Sequence, residues 1–165
     1  MPAVSNSTPL IHVAALGDLH VLERLLGTLT IPQAVYDEVV IAGAQHRGAA
    51  EIEAATGSWL TIASIANHQE VQQLVEIRGL DNGEAEAIVL AHELGLGTVL
   101  IDDQDGVMAA RSHGLEVIPT PALYVRAKEY GVITAVKPKI DGLRRLGFWL
   151  RDSDYEEVLR RARET

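Results

Sequence analysis

The chain has 165 residues, 47% of them hydrophobic and 22% charged, the size and make-up of one folded domain able to bury a core. Cysteine is absent, which excludes disulfides and thiolate metal sites and fits a reducing cytoplasm. The net charge of −9 argues against nucleic-acid binding through surface basicity alone.

No apolar run approaches the roughly 18 residues that cross a bilayer. The opening MPAVSNSTPL has neither the basic nor the long apolar region of an export signal, so a cytoplasmic location without membrane contact is expected. The charge is unevenly spread. Residues 1–125 carry four Lys and Arg against sixteen Asp and Glu, whereas residues 126–165 carry ten against seven. This fits an acidic domain with a mixed-charge terminal helix, or an acidic metal site with a partly basic arm.

In chain order, Ala3 to Ser5 reads as a short strand, and Ser7 or Thr8 can cap a helix with Pro9 at its first position. That helix stops at Gly17, and Asp18 caps another through Leu26. Thr28 to Ile31 is a second strand, and Pro32 opens a helix through Val40. Gly43 to Gly48 is a loop, Ala49 to Ala55 a short helix, Trp59 to Ile62 a third strand, and Asn67 to Ile77 a polar helix. Gly83 marks a turn, and Glu84 to Leu94 is a run of good helix formers. Thr98 to Ile101 is unbroken and apolar, as suits a strand covered on both faces, and Asp102 and Asp103 close it.

A helix from Gln104 to His113 and a fifth strand, Glu116 to Ile118, follow. Pro119 and Pro121 then interrupt the chain. The helices Ala122–Tyr130, Ala135–Leu146 and Ser153–Arg163 complete it, the last with a capping box Ser153-x-x-Glu156 and the pairs Glu156/Arg160 and Glu157/Arg161. Strands and helices alternate five times at intervals too long for hairpins. The pattern predicts an α/β fold with a five-stranded, mostly parallel sheet between two helical layers. Residues 1–121 form the α/β core, and 122–165 form a helical C-terminal extension of the same domain.

Four acids stand out. On a 3.6-residue wheel Glu38 shares an apolar face with Val35, Val39 and Ala42, an unusual place for a carboxylate that is neither paired nor coordinated. Glu84 lines up with Ile88 and Ala91, which aims it inward, or else it merely complements its helix dipole, as Glu86 does. Asp102 and Asp103 lie at the carboxyl end of a strand, the edge where open α/β sheets bind ligands. If the first and fourth strands are neighbours, Asn6 and Asp103 face one crevice with Glu84. Carboxylates gathered there raise each other's pKa, and an all-oxygen set selects Mg²⁺ or Mn²⁺ over zinc or copper.

At this point the chain resembles the PIN-domain proteins, including VapC-type toxins. VSNSTPLI is similar to that family's first-strand motif, an aspartate followed by small hydroxyl residues. The likeness continues through IPQAVYDEVV, LDNGEAEAIVLA, VLIDD and GFWLRDSDYEEVLRRA, from about Val4 to Arg161, and within the family it points to a PIN-like branch with GEAEAI and IDD signatures. The resemblance implies an α/β/α sandwich whose acidic cleft binds Mg²⁺ or Mn²⁺ and hydrolyses RNA.

By the same resemblance Glu38, Glu84 and Asp103 are the second, third and fourth acids, catalytic and metal-binding. Asp102 is a substitute for Asp103 or its outer partner, and Ser7 and Thr8 flank the first position. Asn6 stands where that first aspartate is usual. Its amide oxygen can ligate a hard cation but brings no charge, so metal affinity should drop. VapC-type toxins are often homodimers neutralised by a small antitoxin, which makes such a partner and a dimer expectations here.

The expected chemistry is in-line attack on a phosphodiester by metal-activated water. Lys137, Lys139, Arg144 and Arg145 either hold the RNA backbone or form a solvated helix face. Phe148 and Trp149, in GFWL, are either a docking or dimer surface or core anchors for the last helix. The main alternative is a catalytically weak or inactive PIN-like module that binds nucleic acid or protein. The six histidines lack ligand spacing, which disfavours a metal-independent histidine nuclease. A phosphoaspartate receiver would carry its acid pair after the first strand rather than the fourth.

Overall fold

The computed structural model describes all residues, Met1–Thr165. Five strands, β1 (Ala3–Ser5), β2 (Leu29–Pro32), β3 (Leu60–Ala63), β4 (Thr98–Leu100) and β5 (Glu116–Val117), form one sheet in the order β3-β2-β1-β4-β5. Every pairing is parallel. Helices cover both sides, giving the α/β/α sandwich that the alternation predicts.

The period of two along each strand assigns the layers. Ala3, Leu29, Ile31, Leu60 and Leu100 belong to one apolar core, and Val4, Val99 and Ile101 to the other. The first core is filled from α1 (Ser7–Ala15), α2 (Leu19–Leu26), α3 (Gln33–Tyr36) and α4 (Ala49–Ala55). The helices that follow Pro119, α8 (Thr120–Glu129), α9 (Lys137–Arg145) and α10 (Asp152–Arg161), complete this same layer through Leu123, Tyr124, Ile140, Leu143 and Val158. The second core is built by α5 (His68–Arg78), α6 (Asn82–Leu94) and α7 (Gln104–Ser112).

Strand order decides where a site can form. From β1 the chain moves outward through β2 to β3, then returns to place β4 on the other side of β1. Val4 pairs with Val99 and Ser5 with Leu100, so the carboxyl ends of β1 and β4 lie side by side. The reversal opens a crevice there, the usual ligand position in such sheets. α6 runs through the middle of the second layer, buried at almost every position from Gly83 to Ala91. Its C-terminus is closed by Gly95 in the left-handed conformation (φ 66°), which most side chains avoid.

Several local expectations are displaced. Gly83 lies inside the first turn of α6, and the cap is Asp81. α1 begins at Ser7 with Asn6 at its cap position, and neither hydroxyl residue serves as its cap. Asp18 does not cap α2 through its side chain. α10 starts at Asp152, one residue before Ser153, so the expected capping box is not formed there. Its ion pair is Glu157–Arg160, at 2.6 Å and three residues apart, rather than the expected i,i+4 pairs.

Candidate active site

Asn6 follows β1 with an extended backbone (φ −79°, ψ 176°), and its N–H donates to the Leu100 carbonyl at 3.0 Å. This bond ties the β1 terminus to β4 just before Asp102. The Asn6 side chain is 4% exposed and does not cap α1. A Cβ at Gly83 would lie 3.0 Å from Asn6 Oδ1, so the missing side chain lets the start of α6 approach the end of β1.

Glu84 occupies the first turn of α6 and is 5% exposed. It forms a capping box with Asp81. The Glu84 N–H donates to Asp81 Oδ1 at 2.7 Å, and the Asp81 N–H donates to Glu84 Oε2 at 3.2 Å. That box was readable in the spacing Asp81-x-x-Glu84. Glu84 therefore has the helix-terminal role that its position suggested, but its environment goes further. Burial, followed by the charge of Asp81 and then those of Asp103 and Asp105, pushes its carboxyl up to about 7, against one opposing backbone hydrogen bond. Gly106 leaves room for it, since a Cβ there would lie 3.3 Å from Glu84 Cδ.

The two aspartates after β4 have separate tasks. Asp102 is clamped by Thr120, whose N–H and hydroxyl donate to its two oxygens, each at 2.6 Å. It fastens the β4 terminus to α8, and burial outweighs these bonds to raise its pKa. Asp103 is exposed and caps α7, accepting from the Asp105 N–H at 3.0 Å. Thr8, Asp102 and Asp103 line one cleft of about 690 Å³.

Glu38 departs from the wheel. Residues Asp37–Ala42 form a π-helical turn continuing α3, and its i→i+5 bonding adds a residue to the turn. The 3.6-residue register is lost, Glu38 is exposed, and only Val39 and Val40 of this turn are buried. Its Oε2 accepts from the Ser7 hydroxyl at 2.7 Å, which brings it to the β1–α1 junction. Asp37 is exposed and accepts from the Gln33 amide.

The fold thus unites Glu84 with Asp103, places Asn6 against the start of α6, and joins Ser7 to Glu38. No group of three or more His, Asp or Glu side chains is arranged to hold a metal ion. Asp81 and Asp105, unremarked in the sequence, bear on the same charge; Asp81 is signalled by its capping-box spacing to Glu84 and Asp105 only by its place in the first turn of α7. The expected phosphate contacts are largely committed elsewhere. Lys139 pairs with buried Asp18 at 2.8 Å, Lys137 with Asp141, and Arg144 with Asp152, which leaves Arg145 outside any ion pair.

An α/β/α sandwich with acids at the β1/β4 reversal and no cation among them is the class this architecture defines. The family model for the PIN domain matches residues 2–164, and the chain belongs to the PIN-domain family. That membership indicates nuclease-type function on nucleic acid in general terms, and PIN domains are generally dependent on divalent metal. A search of curated proteins returns no match to the chain.

Proposed function

We propose that this protein is a Mg²⁺- or Mn²⁺-dependent endoribonuclease that hydrolyses RNA phosphodiester bonds at the β1/β4 crevice. The observation that carries the reading is the uncompensated acidity around buried Glu84, on whose charge Asp81, Asp103 and Asp105 all bear. A buried carboxylate surrounded by like charge is held at a cost, and a bound cation removes it. The donors are all oxygen, so they fit a hard divalent ion rather than zinc or copper.

Glu84 and Asp103 would hold the ion, with Glu38 and the uncharged Asn6 amide as further oxygens and Asp102 bracing Asp103. Since no three acids form a ready-made grip, water and substrate phosphate complete the shell, the habit of Mg²⁺. When bound, the ion supplies a water of lowered pKa and offsets the charge of the phosphodiester. Ser7 holds Glu38 in position by hydrogen bonding, and Thr8 flanks the cleft. A cation also answers the net charge of −9, because it bridges an acidic protein to an anionic substrate.

A toxin role, with a small antitoxin and a homodimer, rests on the likeness to VapC-type proteins. Co-purification with the product of an adjacent small reading frame tests it. The decisive assay is Mn²⁺-dependent cleavage of RNA, abolished by Asp103→Ala. Metal-dependent RNA binding without cleavage would instead favour the inactive binding module, to which Asn6 and the absence of a three-acid grip lend weight.

A further inference from the structure

The cleft that begins at Asp103 continues past Pro119 to the segment Gly147–Leu150, between α9 and α10. Trp149 on its wall is 78% exposed. An indole in water forgoes the large burial that usually fixes tryptophan in a fold, and this exposure does not come from looseness. On one side the Phe148 N–H donates to the Leu143 carbonyl at 3.0 Å, and the ring packs on the main core. On the other, the Leu150 carbonyl accepts from Arg144 Nη2 at 2.9 Å, and its side chain packs on the same core. Trp149 is held outward between two anchored neighbours.

We infer that this cleft seats an unpaired nucleotide of single-stranded RNA, its base stacked on the Trp149 indole beside Asp103. The inference rests on the nuclease reading, with which the cleft shares Asp103, and adds the aromatic side chain that receives a base. Aromatic side chains stack on bases whatever their sequence, because every base has a π face. The His12 ring meets Phe148 edge-on, with centroids 5.2 Å apart, and extends the aromatic wall. Its Nδ1 lies 2.8 Å from the Thr8 carbonyl, an acceptor only, so Nδ1 carries a hydrogen and Nε2 is the ring atom left to meet a base edge.

Access selects an unpaired base. A duplex keeps its bases stacked within and presents phosphates outward, whereas this cleft offers an exposed indole and a second aromatic wall. Charge disfavours a basic peptide. Asp102 is committed to Thr120 and Asp154 to Arg151, which leaves Asp103, held only by the Asp105 N–H, as the cleft's one carboxylate without a side-chain partner.

The chain has two tryptophans, so Trp59→Phe leaves Trp149 as the sole indole reporter. In Mg²⁺, a ten-nucleotide single-stranded oligouridine should quench its emission saturably, and a duplex of equal length should not. By anisotropy of labelled RNA, Trp149→Ala should weaken binding about 5- to 150-fold, with Trp149→Phe retaining most of the affinity and both variants melting like the parent. Unchanged emission at saturating RNA, equal affinity of the alanine variant, or no detectable RNA binding would overturn the inference. So would quenching by an arginine-rich peptide in place of RNA, or emission that follows protein concentration alone, the mark of a second copy. RNA that quenches Trp149 without being cut keeps the stacking site and removes the nuclease. RNA cut equally well by Trp149→Ala, with silent emission, does the reverse.

Discussion

Asp18 and Glu84 are both shut away from water, at 2% and 5% exposure, yet their surroundings are opposite in kind. Asp18 accepts from the Lys139 ammonium at 2.8 Å and the Tyr124 hydroxyl at 2.9 Å, joining the start of α2 to α8 and α9. Glu84 has no cation beside it, and Asp81, Asp103 and Asp105 all push against its charge. The first arrangement is a completed structural clamp. In the second, folding has gathered like charges that uptake of a proton or of a cation relieves. Burial of a carboxylate therefore says little about its role until its partners are counted.

The largest expected contrast is in catalysis. Glu84→Gln should lower RNA cleavage by about 10²-fold or more, since it removes a charged oxygen from the proposed metal site, whereas Asp18→Asn should alter it only through the folded fraction. Single-turnover rates on one RNA, corrected for folded protein, check this. Equal losses would erase the distinction.

Stability should respond in the opposite sense. Removing one partner of a buried ion pair costs about 3 kcal/mol, and Lys139, partly exposed, can recover some of this through water. Asp18→Ala should thus lower Tm by roughly 5–10 °C. Glu84→Gln should raise Tm, because glutamine keeps the capping box and sheds the charge.

That gain depends on pH. An unfolded glutamate titrates near 4.5 and folded Glu84 near 7. Below 4.5 both states hold the proton, and no penalty exists. Between 4.5 and 7 the unfolded state releases its proton first, so Glu84 costs the fold increasing stability as pH rises, with the full cost present above about 7. Glu84→Gln should therefore melt with the parent at pH 4 and several degrees above it at pH 8, by calorimetry. A parent protein with Mn²⁺ at pH 8 should show a similar rise, and the variant a smaller one.

Asn6→Asp sharpens the same contrast more gently. It adds a carboxylate where α6 meets β1, so metal-free protein should melt lower at pH 8 while Mn²⁺ binds on the order of tenfold tighter. Unchanged affinity by titration calorimetry would remove Asn6 from the ligand set. The smallest effect belongs to Ser7→Ala. Glu38 is exposed, so loss of their bond should cost under about 1 kcal/mol of stability and register mainly as reduced cleavage.

The amino-acid sequence alone determines the alternation of five strands with helices, because two-residue and 3.6-residue apolar periods are local properties. It likewise marks Glu84 and Asp103, since one opens a helix beside apolar positions and the other closes a buried strand. The orientation of Glu38 was not legible. Residues Asp37–Ala42 take a π turn that no apolar period announces, and Glu38 is exposed there although Val35 and Val39 of its assigned face are buried. GFWL left Phe148 and Trp149 alike until backbone anchors at Leu143 and Arg144 turned one inward and held the other out.

Only the tertiary structure decided that β1 and β4 are neighbours, that Asp102 is taken by Thr120, and that Asp18 finds a lysine 121 residues away while Glu84 finds none. Residue type and spacing specify what a carboxylate can do. Its charge balance is set by segments distant in the chain, and folding alone brings them together.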